Sequence, residues 1–275
     1  MPSSGLPVWY PPPPIGDVHV ERRLAAGGVL EDARCPVCGY RGPMGGFTDN
    51  LRESGYCPAC GAWTRIRQMA ATLVEIAPVL TGRPVNTVAE LAGVSDLAIY
   101  NTEAHGSLDA VLGGASGYVA SEYFGPELKS GDLGPDDVLH QDLQDLSFDS
   151  DSFDLVLSTD VLEHVADPYR AHAEIHRVLR PGGHHVFTVP FIDDALLDDV
   201  RSVMTPDGAV QHLSEPIYHI DPVRIEEGAL VFTLFGLEML TKLAHLGLDT
   251  TVYRPADVGR GLVGGGAVFD AVKVR

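Results

Sequence analysis

Four cysteines fall into two pairs of one form, Cys35-Pro-Val-Cys38 and Cys57-Pro-Ala-Cys60, eighteen residues apart and each followed by a glycine, Gly39 and Gly61. Two thiolates on one tight turn can bind a metal ion together, and two such knuckles close a tetrahedral shell of four. Zinc is the first reading of Cys35, Cys38, Cys57 and Cys60; iron in a rubredoxin-like site and disulfides are the alternatives. A shell closed by four thiolates has no position for water or substrate, so its role is structural. The amides of Gly39 and Gly61 are placed to donate to a thiolate sulfur. Between the knuckles, Arg41 and Arg52 stand against Asp49 and Glu53. That is no basic stripe, and the ribbon reads as a brace or gate rather than a nucleic-acid reader.

A second group of polar residues follows short apolar runs with the character of strands. In an open parallel sheet, ligands bind where the carboxyl ends of strands meet loops and helix N-termini. Leu97–Asn101 runs into Asn101-Thr102-Glu103, followed by His105 and Gly106, and Tyr118–Ser121 runs into Glu122. Val138–His140 runs into Gln141-Asp142-Leu143, and Asp154–Ser158 into Thr159-Asp160. A carboxylate just past the second strand, here Glu122, suits ribose hydroxyls because it accepts two hydrogen bonds. Asp142, past the third, can accept from an exocyclic amine of adenine. Any one of these residues alone reads as a solvated loop group; their succession at four strand ends points to a nucleoside-bearing cofactor.

Four stretches carry a resemblance. They are His140-Gln-Asp-Leu-Gln-Asp-Leu-Ser-Phe148, Ser152-Phe-Asp-Leu-Val156, Val161-Leu-Glu-His-Val165 and Arg177-Val-Leu-Arg-Pro-Gly-Gly183. Together they resemble class I methyltransferases of the type 11 group, continuously from about Tyr118 to Pro190. The resemblance implies a Rossmann-like domain that binds S-adenosylmethionine. The segment at Asp142 and Leu143 would lie beside adenine, and the Leu-Glu-His turn would border the transfer site. The first motif departs from the family: where Gly-x-Gly-x-Gly is usual, Asn101, Glu103 and His105 stand. Some relatives carry Ala-Pro-Glu there, and Asn101-Thr102-Glu103 is similar, so side chains are expected to hold the methionine end of the cofactor. A four-cysteine ribbon ahead of such a domain also resembles bacterial members of the group.

Methyl transfer from a sulfonium is an in-line displacement that needs alignment more than acid–base chemistry. A hydroxyl acceptor adds the need for a base, and histidine suits neutral pH. Of eleven histidines, His164 sits in the turn beside the cofactor, and a purely structural role in shaping that turn stays open for it. His219, in Tyr218-His219-Ile-Asp221-Pro222, falls between the fifth strand and the C-terminal helix, where relatives place the acceptor pocket. His219 and Asp221 read as base and orienter, or as two ligands of a divalent metal; His212 is a further candidate nearby. Magnesium on Asp193, Asp194, Asp198 and Asp199 is a weaker reading than a solvated acidic helix start. His172, His176, His184 and His245 are assigned to surface or sheet-edge positions.

The elements that must position these groups divide the chain into a proline-rich arm (1–34), the ribbon (35–62), a connecting helix (63–84) and an α/β domain (85–275). The last holds a lid insertion at about 191–228. The fold class is α/β: a Rossmann-like, doubly wound, mostly parallel sheet with an antiparallel C-terminal edge, plus the small N-terminal zinc ribbon. Ile66, Met69, Ala70, Leu73, Ile76 and Ala77 form one stripe on the connecting helix. Asp167 as N-cap and Pro168 at the first helical position open another helix, ended at Pro181-Gly182-Gly183. Long loose segments in compact domains are functional lids or binding loops as a rule, which fits Phe191 to Gly228.

Thirty-eight acidic against nineteen basic residues give a net charge of −19. Such a surface disfavours nucleic acid and anionic lipid, and favours a small-molecule acceptor. The longest apolar stretch, Gly228 to Leu240, is broken by Glu238 and is shorter than the roughly 18 residues of a membrane span. No signal-peptide pattern opens the sequence, so a cytoplasmic location is expected. The function expected is O-methylation of a small polar acceptor (a sugar, glycolipid or secondary metabolite). The alternatives are N- or C-methylation, and a non-catalytic cofactor-binding module that recruits a protein. A homo-oligomer stays open.

Overall fold

The computed structural model describes residues 17–94, 96–219 and 228–274. They form two compact units: one takes the described residues up to Ala120 with Thr251–Asp270, the other Ser121–Thr250 with those from Ala271 on.

The first unit opens with helix α1 (Val18–Ala25), capped by Asp17, whose carboxylate accepts from the amides of His19 and Val20. Strands β1 (Leu30–Arg34) and β2 (Arg41–Met44) pair antiparallel, with Leu30 opposite Met44 and Arg34 opposite Arg41. The ribbon's hairpin therefore begins ahead of Cys35. The expected connecting helix is α2 (Thr64–Thr81), closed by Gly82, whose left-handed φ of 72° lets its amide reach Pro78 O. Beyond the apolar stripe it also buries Arg67, Gln68 and Thr72. Helix α3 (Val88–Ala92) sets its first amides on the first knuckle, Val88 N on Pro36 O and Ala89 N on Val37 O. Strand β3 (Ile99–Asn101), helix α4 (Gly106–Leu112) and strand β4 (Tyr118–Glu122) form a β–α–β unit, with Ile99 to Asn101 parallel to Tyr118 to Ala120.

In the second unit the end of β4 pairs in parallel with β5 (Leu139–His140). Strand β6 (Phe153–Thr159) is the buried run the sequence indicated; helix α5 (Pro168–Val178) follows, with Asp167 accepting from Arg170 N. Strand β7 (Leu179–Thr188) is parallel to β6 and begins before Pro181-Gly182-Gly183, so that tripeptide lies inside the strand rather than ending the helix. The segment read as loose holds short antiparallel pairs. Strands β8 (Asp199–Val200), β9 (Ser202–Met204), β10 (Val210–His212), β11 (Tyr218–His219), β12 (Ala229–Leu230) and β13 (Thr233–Leu234) pair as β9 with β10, β11 with β12 and β8 with β13. Helix α6 (Glu238–His245) leads to β14 (Leu248–Tyr253) and β15 (Val268–Lys273). Strand neighbours run β14-β15-β7-β6 and β3-β4-β5, and Val274 N donates to Gly247 O where the chain returns on itself. The central sheet is mostly parallel with flanking helices, as the α/β, Rossmann-like expectation requires.

Two histidine placements differ from expectation. His172 is fully buried, because Pro168, Ala171, His172, Ile175 and Val178 share one buried helical stripe, and His184, on β7, is nearly so. The His172 ring packs 5.4 Å from His185 and 5.2 Å from Phe187, and neither of its nitrogens has a hydrogen-bond partner among the described residues. Burial lowers its pKa to about 3 and takes that of His185 well below the usual histidine value. An unfolded chain therefore binds protons below about pH 6.5 that the folded one refuses, so stability present above that pH is lost as pH falls. At pH 5 the His172 ring alone accounts for about 2 kcal/mol, and His185 acts in the same direction. Urea unfolding should show a loss of at least about 2 kcal/mol between pH 7.5 and 5, reduced in His172→Phe; an identical slope in that variant would refute this cause.

Candidate functional site

In the first unit the four cysteine sulfurs all lie within 4.8 Å of one another. Cys35 Sγ to Cys60 Sγ and Cys38 Sγ to Cys57 Sγ are both 3.8 Å. Zinc–sulfur bonds of ~2.3 Å set tetrahedral edges of about 3.8 Å, which these two distances match. Each knuckle is closed by its backbone: Cys35 N donates to Tyr40 O, and Cys57 N to Ala62 O. Gly39 and Gly61 take φ of 83° and 75°. Their amides donate to Cys35 O and Cys57 O, not to sulfur as the sequence suggested; the left-handed turn aims them at the carbonyl. The Cys60 thiol hydrogen-bonds the Cys35 thiolate and pulls its pKa to about 5, while the same contact pushes Cys60 up. Sequence reasoning missed Arg67. Its buried guanidinium donates to the carbonyls of Gly55, Ala62 and Gly261, and the charges of Cys35, Cys57 and Cys60 act on it. Four thiolates around a divalent ion carry an excess of two negative charges, and Arg67 offsets one.

Also in the first unit, Asn101 ends β3 and is fully buried. Its amide donates to Glu103 O at 2.8 Å and to the Tyr118 hydroxyl at 2.9 Å, and that hydroxyl donates to Asp109. The side chain thus shapes the loop that holds Glu103. Asn101 Oδ1 has no hydrogen-bond partner among the described residues.

The second unit carries the other acids. Glu122 is the last residue of β4, opposite His140 on β5. Asp142 follows β5, and its Oδ1 accepts from Gln144 N and Gln144 Nε2; Leu143 beside it is buried. This loop is clamped from α5, where Glu174 accepts from Leu146 N and Arg177 donates to Leu146 O and Phe148 O. Asp160 directly follows β6 with φ of 50°, a left-handed conformation uncommon outside glycine, and its amide is fixed on Thr188 O. Backbone held this way at a strand end is where binding groups collect.

His164 and His219 come together. His219 Nδ1 is 3.2 Å from His164 Nε2, and the rings meet edge to face at 4.9 Å. The one-turn helix Leu162–His164 presents His164, and β11 presents His219. Phe232 N donates to Glu163 O, and His164 Nδ1 lies 2.9 Å from Leu230 O, which ties the two segments. Glu163, absent from the sequence-derived set, lies beside them with a fully buried carboxylate, its Oε1 3.7 Å from each histidine. Its position next to His164 in the turn was the only available signal. Asp221 lies outside the described residues. His212 is apart, its Nδ1 on Ser202 Oγ. The acidic run at 193–199 opens no helix. Asp198 instead accepts from the Tyr169 hydroxyl, Gly236 N and Lys242 Nζ, and the run forms no metal-ligating group among the described residues.

No helix among the described residues is long and apolar enough to cross a membrane. Residues 119–187 match a family model described as a methyltransferase domain. An uncharacterized 37.1 kDa protein in transposon TN4556 of Streptomyces fradiae is 44% identical over 57 residues, 21% of this chain and 16% of that protein. The match thus spans under a fifth of that curated relative's length. The S-adenosylmethionine dependent methyltransferase from Mesorhizobium loti aligns at 18% identity and a TM-score of 0.40, over 65% of this chain and 91% of its own. The YcgJ protein from Bacillus subtilis aligns at 12% identity and a TM-score of 0.39, over 68% and 98%. Over residues 119–187 this chain is therefore similar to a methyltransferase domain.

Proposed function

We propose that the protein transfers a methyl group from S-adenosylmethionine to an oxygen of a small polar acceptor. The observation that carries the reading is the match over residues 119–187, with acids at successive strand ends of one unit: Glu122, Asp142 and Asp160. The bound cofactor supplies a methyl carbon on a positively charged sulfur. Glu122 accepts hydrogen bonds from the ribose hydroxyls, and Asp142 with Leu143 borders the adenine. Asp160, whose backbone is fixed, sets the edge of the transfer site. His219, backed by His164, takes or orients the acceptor's proton so that its oxygen lies in line with the breaking bond. The zinc ribbon has a structural part only.

Calorimetry with S-adenosylhomocysteine tests the cofactor assignment. Losing hydrogen bonds to a charged group costs ~1.5–3 kcal/mol each, and ~1.4 kcal/mol is a decade. Glu122→Ala should bind at least about tenfold more weakly. Asp142→Ala should do likewise, though it also frees the turn at Gln144. If both variants bind like the wild type, these residues do not hold the cofactor. Tight binding without turnover over a broad acceptor panel would favour the non-catalytic alternative.

A further inference from the structure

Three side chains of the second unit have the spacing of metal ligands, and they are not the acids at the strand ends. Glu163 and His164 are consecutive in the turn after β6, and His219 is brought opposite them from fifty-five residues away by the pairing of His219 with Ala229. The ligand atoms form a near-equilateral triangle: 3.2 Å between His219 Nδ1 and His164 Nε2, and 3.7 Å from Glu163 Oε1 to each. The point in their plane equidistant from all three lies about 2 Å from each, the length of zinc–nitrogen and zinc–oxygen bonds. A hydrogen-bonded histidine pair fixes only one of those distances.

The surroundings agree with a ligand set. Leu230 O, 2.9 Å from His164 Nδ1, is an acceptor only, so that nitrogen carries the proton and Nε2 keeps its lone pair toward His219 and Glu163. A backbone carbonyl on the far nitrogen is the usual outer support of a metal-binding histidine. Exposure rises across the triangle, from 0% for the Glu163 side chain to 18% for His164 and 40% for His219. The carboxylate forms the floor and the mouth is wet. Three protein ligands with an open side is the pattern of a site that keeps a coordination position for water or substrate.

We propose that Glu163, His164 and His219 form a second metal site, separate from the cysteines, that binds a divalent first-row transition ion such as zinc and leaves a position open. Two imidazoles and one carboxylate suit zinc, cobalt, manganese or iron(II), whereas magnesium prefers an all-oxygen shell. The site shares His164 and His219 with the proposed transfer reading, and its test reads metal binding alone, so that its failure and the failure of that reading are distinguishable.

The test uses tag-free, full-length protein with the cysteine site filled with zinc, titrated with cobalt(II) alone. One further equivalent should bind, giving visible cobalt absorption without the near-ultraviolet charge-transfer band that thiolate ligands produce. His219→Ala and Glu163→Gln should each weaken that binding at least about a hundredfold, since loss of an outer-shell support alone costs 10–100-fold. His219 is partly exposed, so its variant should keep its melting temperature and its cysteine-bound zinc. Binding limited to the cysteine equivalent up to millimolar cobalt would overturn the proposal. So would a second equivalent that survives both substitutions.

Discussion

Cys57→Ser should lower the zinc content of purified protein from about one per chain to well below it, and lower the melting temperature by roughly 10 °C or more. Structural zinc is worth an apparent ~10–16 kcal/mol in small zinc-dependent modules. Losing even a third of that, ~4 kcal/mol, moves the melting point of a chain this size by that amount. The structure gives the reasons for expecting that dependence. Its own apolar core is small, with Leu30, Ala33, Val37, Met44 and Phe47 buried, and its hairpin β1–β2 is short. An ion bound there would also find a counter-charge in place for its thiolates, because Arg67 is buried against the carbonyls of Gly55 and Ala62, which flank the second knuckle. Without the ion that guanidinium stays in a dry site with no compensating cluster, a costly arrangement. Elemental analysis and a thermal scan decide the matter: protein free of metal that melts like the zinc-loaded form would show that the four cysteines are not a structural zinc site.

How much could be read beforehand follows the range of each interaction. The cysteine shell was legible because two identical knuckles state their own geometry, and α2 because six apolar residues mark one stripe. The edges of the ribbon were not, since β1 is irregular between Leu30 and Ala33 and shows no clean alternation. His172 was misassigned although its position, between Ala171 and Ile175 on the buried side of α5, was a local signal; residue type outweighed phase. Asp198 was placed in a solvated helix start because its partners Tyr169, Gly236 and Lys242 come from other segments. The same holds for Glu163. Nothing near it in sequence announces His219, and only the pairing of β11 with β12 makes the triangle.

That triangle also sets the largest expected effect on chemistry. With an acceptor alcohol as substrate, His219→Ala should lower turnover at least about a hundredfold, the smaller end of general-base assistance at ~10²–10⁴. Affinity for S-adenosylhomocysteine should not move, because Glu122 and Asp142 lie at other strand ends. His164→Ala should follow the same pattern, since its Nε2 is what holds His219 Nδ1 in place. The two ways in which His219 could act separate on one further measurement. As a general base it needs no ion, and wild-type turnover would survive a chelator that leaves the cysteine zinc in place. As a ligand it would hold an ion that would lower the pKa of an alcohol bound at the open position; the chelator would then cost the wild type the same factor as His219→Ala, and added zinc or cobalt would restore the wild type but not the variant. Wild-type turnover in His219→Ala would mean that alignment alone drives the transfer and that the histidine pair serves only to fasten β11 to the turn after β6.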